Sequence, residues 1–323
     1  MGANFGTGDP LLVLLNPQAA SGLALRWRPR IESALLAMGA LAEIHVSRST
    51  DDSREQLACR PGRRVLLVGG DGSVGALLPA LLAGHHTLGL VPAGTGNDLA
   101  RALGLLGQSL EAAVQHAARD PARPMDLGQL RWSLVPATPG EPRPPDGAVH
   151  TAWFASSLTV GFDSVVAYRA ETSPRRLPGQ LHYLWAALAE LRVLDAWPIR
   201  LDATPSLTDT ATDATQPLHL ASVLNTPSYG SGMPIAPAAR VDDGLLHLLR
   251  LRQTTKPRLL GLLQRMLRGR HLGQPEVMLD DIARLTMRCD KPLPLGTDGN
   301  FIGQARWLEV SCRPAALPVV RLR

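Results

Sequence analysis

The sequence predicts an α/β domain, a parallel-type sheet with helices on both faces, followed by a mostly antiparallel β-sandwich domain. Three observations predict it. Val65–Val68 and Leu88–Val91 are short apolar runs of the kind that form strands covered on both faces. Each opens directly into a glycine-rich turn and then into a segment of helical apolar density. Past residue 128 the texture changes to short strands, turns and proline-rich loops. A chain of 323 residues suffices for two cores, drawn at 1–128 and 129–304.

Taken in order, Leu11–Leu15 is a buried strand and Asn16–Gly22 its exit turn. Leu23–Met38 reads as a helix interrupted by Pro29, and Ala42–Val46 as the second strand, leading to Ser47. After Val65–Val68 come Gly69-Gly70-Asp71-Gly72-Ser73, a helix over Val74–Ala83 and Gly84 as its C-cap. After Leu88–Val91 come the turn Pro92–Asp98 and a helix from Leu99, with Asn97 or Asp98 placed to cap it. A further helix spans 105–120. Arg131–Val135 and Thr151–Ser157 read as strands flanking a loop at 136–148, and 203–216 as a second polar loop. Pro178–Val193 carries Leu181, Leu184, Trp185, Leu188 and Leu191 at helical spacing, a core face first and a lipid-facing wall as the alternative. Lys256–His271 is a basic amphipathic helix, either laid on a sheet or resting on an anionic bilayer.

Two glycine turns at the ends of adjacent strands put unpaired backbone N–H groups and helix N-termini at one sheet edge, a geometry that binds phosphate. No G-x-x-x-x-G-K-[ST] occurs, and the two lysines, Lys256 and Lys291, lie far from either turn. Gly70, Gly72 and Gly75 satisfy G-x-G-x-x-G after a strand, so a dinucleotide oxidoreductase competes. Asp71 counts against it, since a carboxylate facing pyrophosphate is repelled unless a cation intervenes. So does a second glycine turn where the ribose-binding acid belongs. Asp71 within a phosphate loop points to Mg²⁺ and phosphoryl transfer.

G-G-D-G-S at Gly69–Ser73 followed by P-A-G-T-G-N-D-L-A-R at Pro92–Arg101 resembles the diacylglycerol kinase catalytic family, which includes bacterial lipid kinases and the sphingosine and ceramide kinases. The resemblance continues through Asn16-Pro17, Pro124–Gly128, Thr159–Asp163, Asn225–Met233, Ile235–Pro237 and Asp242–Leu246. It implies a fold like that of the NAD and diacylglycerol kinases, with residues 305–323 returning to the first domain and the active site in the cleft between domains. ATP and Mg²⁺ are the implied cofactors. Gly69, Gly70, Asp71, Gly72, Ser73 and Gly75 would cradle the phosphates, with Gly94, Thr95, Gly96, Asn97 and Asp98 completing the pocket. Asn16 and Ser47 are candidates beside the nucleotide, Asn16 being equally readable as a plain turn residue. Asp243 and the carbonyls of Arg240 and Leu245 would hold a structural Mg²⁺, and Asp126 would join its acidic network or simply form a boundary turn. An NAD kinase shares G-G-D-G, but the Y-G-S-G-M, A-P-x-A and D-D-G-L-L blocks count against it.

One position departs from the family. Its final motif is D-G-E, the Glu serving as general base, whereas this chain has Asp298-Gly299-Asn300. An amide cannot accept a proton at neutral pH, and losing a general base costs about 10²–10⁴ in rate. Asp71 or Asp298 could take over, the chain could be slow, or it could be a nucleotide-binding relative without turnover.

Composition bounds the rest. Apolar content of 45%, charge of 19% and a net charge of +5 are ordinary for a globular protein. No nucleic-acid partner is expected; the resemblance implies a lipid partner at a membrane surface, and a homodimer is left open. The N-terminus lacks a signal-peptide pattern, and Cys59, Cys289 and Cys312 are odd in number and scattered. The expected location is cytoplasmic, with peripheral contact at the inner membrane face.

Overall fold

The computed structural model describes residues 10–137, 143–174, 180–207 and 215–322, and for Ser21, Glu171 and 180–184 the backbone only. The N-terminal ten residues but one, parts of the loops expected at 136–148 and 203–216, and Pro178 lie outside the described residues. So do the side chains of Leu181 and Leu184. The chain forms two compact units, Met1–Met125 with Ala316–Arg323, and Asp126–Ala315.

In the first unit, strands β1 (Leu11–Leu15), β2 (Ala42–Val46), β3 (Arg64–Gly69) and β4 (Thr87–Pro92) lie in the order β2-β1-β3-β4, all parallel. Val319, near the end of the chain, pairs parallel with Leu88. Alternate residues of a strand face opposite sides. Val13, Leu15, Leu66, Val68 and Val91 pack with Ile31 and Leu35 of α1 (Arg28–Ala37) and with Val114 and Ala117 of α5 (Leu110–Arg119). The intervening Leu12, Leu14, Val65 and Leu67 are equally buried, on the face where α3 (Asp71–Ala83) packs on β3 and α2 (Thr50–Ala58) on α3. Each such side chain contributes about 1.5–3 kcal/mol. Coverage on both faces is what the continuous apolar runs demanded.

Three helix starts differ from expectation, each for a local reason. Ala24–Trp27 is a 3₁₀ turn, and α1 begins at Arg28 with Pro29 in its first turn. Proline there forfeits only an N–H with no helical partner, so it opens the helix rather than interrupting it. Helix α3 begins inside the glycine turn, at Asp71, despite Gly72, Gly75 and Pro79. Burial of Val74, Leu77, Leu78 and Leu81 outweighs that poor propensity. Helix α5 begins at Leu110, where Ser109 Oγ accepts the Ala112 amide at 3.2 Å.

The second unit comprises β5 (Ala122–Ser133, entering from the first), β6 (His150–Phe154), β7 (Ser157–Val160), α6 (Phe162–Thr172), α7 (Gln180–Glu190), β8 (Trp197–Thr204) and β9 (Thr215–Leu224). There follow the two-residue strands β10 (Ser228–Tyr229) and β11 (Met233–Pro234), then β12 (Leu246–Arg252), α8 (Lys256–Met266), β13 (Val277–Ile282), β14 (Arg284–Thr297) and β15 (Asn300–Val320). The path β13-β12-β9-β7-β14-β15 is antiparallel throughout, with β8 against β9 and β14, and β6 against β5. Its core gathers Leu158, Val160, Leu220, Val223, Leu248, Leu285 and Leu308. Helix α7 turns Ala186 and Ala187 inward and leaves Leu188 exposed, so the expected apolar stripe is only partly a core face.

Candidate active site

The strand order β2-β1-β3-β4 reverses its direction of growth between β1 and β3, the point at which open α/β sheets bind ligands beyond their carboxyl ends. Asn16 follows β1, Ser47 follows β2, Gly70 follows β3 and Ala93-Gly94 follow β4. All the nucleotide-site residues expected from the sequence therefore lie along one sheet edge. Asn16 Nδ2 donates to Ser73 Oγ at 3.0 Å, closing the gap between β1 and α3. Ser47 stands two strands from the first glycine turn, and its Oγ accepts from Ser53 Oγ at 2.8 Å.

The two glycine turns touch. A Cβ on Gly70 would lie 2.6 Å from the Cα of Gly94, and one on Gly94 would lie 2.7 Å from the Cα of Gly70 and from Asn97 Oδ1. Only glycine allows that approach. Asn97, at φ +54°, latches the second turn: its Oδ1 accepts the Gly94 amide at 2.8 Å and its Nδ2 donates to the Gly94 carbonyl at 2.7 Å. Thr95 is exposed at the tip, Gly96 beside it is half-buried, and Gly72 and Gly75 sit in the first turns of α3.

Asp71 is placed otherwise than expected. Its carboxylate accepts the amides of Asp98 at 2.9 Å and Leu99 at 3.0 Å, so it caps α4 (Asp98–Ala102) from the neighbouring turn. Asn97, the N-cap residue of that helix, makes no side-chain capping bond. Burial pushes the Asp71 carboxyl above its usual range, the amide bonds oppose this, and nearby Asp98 adds to it. With Asp71 turned away, the amides of Gly70, Asp71, Gly72, Thr95 and Gly96 donate to no protein acceptor among the described residues. Several unpaired donors at a 13-residue helix's start form an anion cradle.

The remaining candidates lie in the second unit. Thr297 and Asn300 pair across a two-residue turn in which Asp298 has φ +48° and Gly299 φ +85°, the hairpin geometry that Asp-Gly favours. Asp298 is buried. Its Oδ2 accepts the Ala155 amide at 2.9 Å, and its Oδ1 accepts those of Ser156 at 2.7 Å and Ser157 at 3.0 Å. Those amides face a side chain rather than a strand, which is why the single strand expected over Thr151–Ser157 is broken into β6 and β7. Asn300 is exposed at the start of β15.

Asp126 is buried, with Oδ2 accepting the Gly244 amide and Oδ1 the Ala315 amide, each at 2.7 Å. Oδ2 thereby braces the Asp242-Asp243-Gly244 turn, and Oδ1 ties Asp126 to the end of the second unit at Ala315. Asp243 is exposed, and its Oδ1 accepts the Leu245 amide at 3.0 Å while Oδ2 has no protein partner among the described residues. That open oxygen, with the carbonyls of Arg240 and Leu245 in the same turn, suits a hard cation such as Mg²⁺ that keeps much of its water. Asp126 fits only as support. Burial, then the charges of Asp126 and Asp243, push the Cys312 thiol up to about 12, so the two carboxylates share one neighbourhood. No cluster of three or more His, Cys, Asp or Glu groups is assembled among the described residues.

Two residues without an assigned role prove structural keys. Asn225, fully buried, donates from Nδ2 to the carbonyls of Asp126 and Ala155, both at 2.8 Å, tying the Asp243 turn to the Asp298 turn. Asp52 fixes the segment after Ser47, accepting the Arg48 amide at 2.8 Å and bonding His45 Nε2 at 2.8 Å. Those bonds, the Arg48 amide foremost, hold its carboxyl well below the usual range. Ser49-Thr50-Asp51-Asp52, with Ser49 Oγ accepting the Asp52 amide, was the readable signal.

Comparison with known proteins agrees with this geometry. The diacylglycerol kinase catalytic domain matches residues 10–130, and the YegS C-terminal NAD kinase beta sandwich-like domain matches residues 156–321. A diacylglycerol kinase of Mycobacterium tuberculosis is 31% identical over 96% of this chain and 94% of its own length. This chain belongs to the diacylglycerol kinase family. A diacylglycerol kinase of Bacillus subtilis is 24% identical over 77% of this chain and 75% of its own. The fold matches a diacylglycerol kinase crystal structure from Bacillus anthracis at a TM-score of 0.65, 16% identity and 98% coverage of both chains. Membership makes this a lipid kinase relative and implies a nucleotide substrate and a metal. No described helix is long and apolar enough to cross a membrane.

Proposed function

We propose that this protein transfers the γ-phosphate of ATP, with Mg²⁺, to the hydroxyl of a diacylglycerol-like or sphingoid lipid. The observation carrying the proposal is the pair of glycine turns in backbone contact at the carboxyl edge of β3 and β4. The unpaired amides of Gly70, Asp71 and Gly72 receive phosphate oxygens, with those of Thr95 and Gly96 facing the same edge. Asp71 works here as a positioning residue, fixing the second turn through Asp98 and Leu99. Mg²⁺ supplies charge neutralisation on the phosphates when bound; Asp243 would hold a separate, structural ion. The acceptor hydroxyl attacks the γ-phosphorus as its bond to the bridging oxygen breaks and ADP leaves; the hydroxyl proton passes late to solvent, because the transition state is loose and needs positioning more than a base.

A second reading has its own support. Asn300 stands where the family carries its base, and the two carboxylates able to substitute, Asp71 and Asp298, are already engaged by backbone amides. The alternative is a nucleotide-binding relative with little or no turnover. Purified protein, labelled ATP, Mg²⁺ and mixed micelles of candidate lipids, with Asn300→Glu alongside, separate the two. Lipid-dependent transfer by wild type supports the kinase, and Asn300→Glu then raises its rate by about 10²–10⁴. Transfer by the glutamate variant alone supports the second reading. ATP binding with no transfer by either protein removes the kinase assignment.

A further inference from the structure

Several arginines on the first unit are neutralised where they stand: Arg28 pairs with Glu32 at 2.8 Å, Arg30 with Glu111 at 2.8 Å, Arg54 with Asp51 at 2.9 Å and the half-buried Arg60 with Glu43 at 2.5 Å. On helix α8 of the second unit Arg258 pairs with Glu276 at 2.8 Å, but the arginines farther along it and in the turn after it are different. Leu259, Leu262 and Met266 face the core. On the opposite arc stand Pro257, Leu260, Gln264 and Arg265, with Arg268 continuing it past the helix end. Between Lys256 and Pro275 there is no acidic residue, and the guanidinium groups of Arg265, Arg268 and Arg270 have no protein partner among the described residues. Two exposed leucines flank them, Leu260 at 37% and Leu272 at 40%.

The turn is not a loose appendage. His271 is fully buried and bonds the Ile235 carbonyl through Nε2 at 2.9 Å. Gly269, at φ +65°, lies so close to Pro234 that a Cβ would come within 2.9 Å of its ring. His271 pointing inward turns Arg270 and Leu272 outward, beside Arg268. A fixed surface of unpaired arginines edged by leucines, with no acid among them, matches the chemistry of a bilayer interface carrying anionic headgroups.

We infer that α8 and the Leu267–Gly273 turn dock this protein on an anionic bilayer, the arginines against headgroups and Leu260 and Leu272 at the acyl boundary. The inference deepens the lipid kinase reading by supplying its route to a membrane-borne acceptor, and it stands or falls on binding, not turnover. Sedimentation with vesicles of phosphatidylcholine containing phosphatidylglycerol, at low salt and without nucleotide, tests it. Wild type binds these vesicles, and binds pure phosphatidylcholine far less. Arg265→Ala/Arg268→Ala/Arg270→Ala loses affinity on the order of 10²-fold, about fivefold per arginine. Leu260→Ser weakens binding less and leaves its salt dependence unchanged. The control Arg28→Ala/Arg54→Ala/Arg60→Ala, with the same charge change, binds as wild type does, and thermal melts confirm that both triple variants fold.

Equal loss in both triple variants would reduce the effect to net charge and overturn the inference. So would wild-type indifference to phosphatidylglycerol, or binding of a DNA duplex through the α8 arginines with none to vesicles. Activity on a dispersed short-chain acceptor in detergent separates this from the kinase reading. Vesicle binding without turnover refutes the kinase alone, and turnover without vesicle binding refutes the docking surface alone.

Discussion

The Gly69–Ser73 turn and the Thr297–Asn300 turn each carry an aspartate that the sequence offers to chemistry, and in both the aspartate serves the backbone. Asp71 accepts two amides at the start of α4; Asp298 accepts three at the junction of β6 and β7. The surroundings differ. Asp71 bonds the neighbouring turn and leaves the amides of its own turn, Gly70–Gly72, without a protein acceptor among the described residues. Asp298 consumes the donors it meets and leaves Asn300 exposed beside it. One bracket leaves donors that an anion could take, and the other only closes a hairpin. A carboxylate in a motif is thus no evidence of a base until its lone pairs are accounted for.

Removing the larger bracket is expected to have the larger effect on stability. Asp298→Ala leaves three amides without their acceptor and costs about 3–5 kcal/mol, read as a lowered denaturant midpoint. An unchanged midpoint would show that those amides find other partners and that the Asp298 carboxylate is free for chemistry after all. Next comes the contact between the two glycine turns. Gly94→Ala forces a methyl against Gly70 and Asn97 and is expected to cost about 1–3 kcal/mol. It should also weaken ATP binding in calorimetry, since the cradle's amides move with the turn. Full-strength binding would dissociate the cradle from that contact. Asp71→Asn keeps one acceptor but turns an NH₂ toward an N–H, costing about 1–2 kcal/mol. If Asp71 positions the second turn, the variant loses ATP affinity along with turnover; turnover lost at unchanged affinity would return Asp71 to direct contact with the reacting groups.

How much of this was legible in the sequence follows from which interactions are local. The strands Leu11–Leu15 and Ala42–Val46 were bounded correctly because apolar runs and glycine punctuation are local signals. The two-domain class, α/β then antiparallel, was legible for the same reason. The start of α3 was not, because its Gly72 and Gly75 oppose a helix that burial then imposes. The bracketing roles of Asp71 and Asp298 span 27 and 141–143 residues of sequence, so no window of pattern contains them. Asn225 illustrates the limit: its motif was visible, but joining Asp126 to Ala155 is a property of three segments that meet only on folding.

A third buried aspartate sharpens the comparison by changing the donors. Asp163, buried in α6, meets no backbone amide among the described residues; it accepts from Ser222 Oγ at 3.1 Å and from the Tyr229 hydroxyl. Amides can only donate and so require an acceptor, whereas hydroxyls can also accept and can accommodate a neutral acid. Burial accordingly pushes the Asp163 carboxyl up, its two hydrogen bonds only opposing this. The sign then follows. A carboxyl raised in the folded state favours folding most fully below its unfolded value, and this is lost as pH rises through the folded value. Asp163→Asn removes that titration, so the fall in thermal midpoint between pH 5 and pH 8 should be smaller than in wild type. A variant at Asp163 whose midpoint falls as steeply as wild type would mean that the hydroxyls hold the carboxylate as firmly as amides do, and the distinction between the donors would fail.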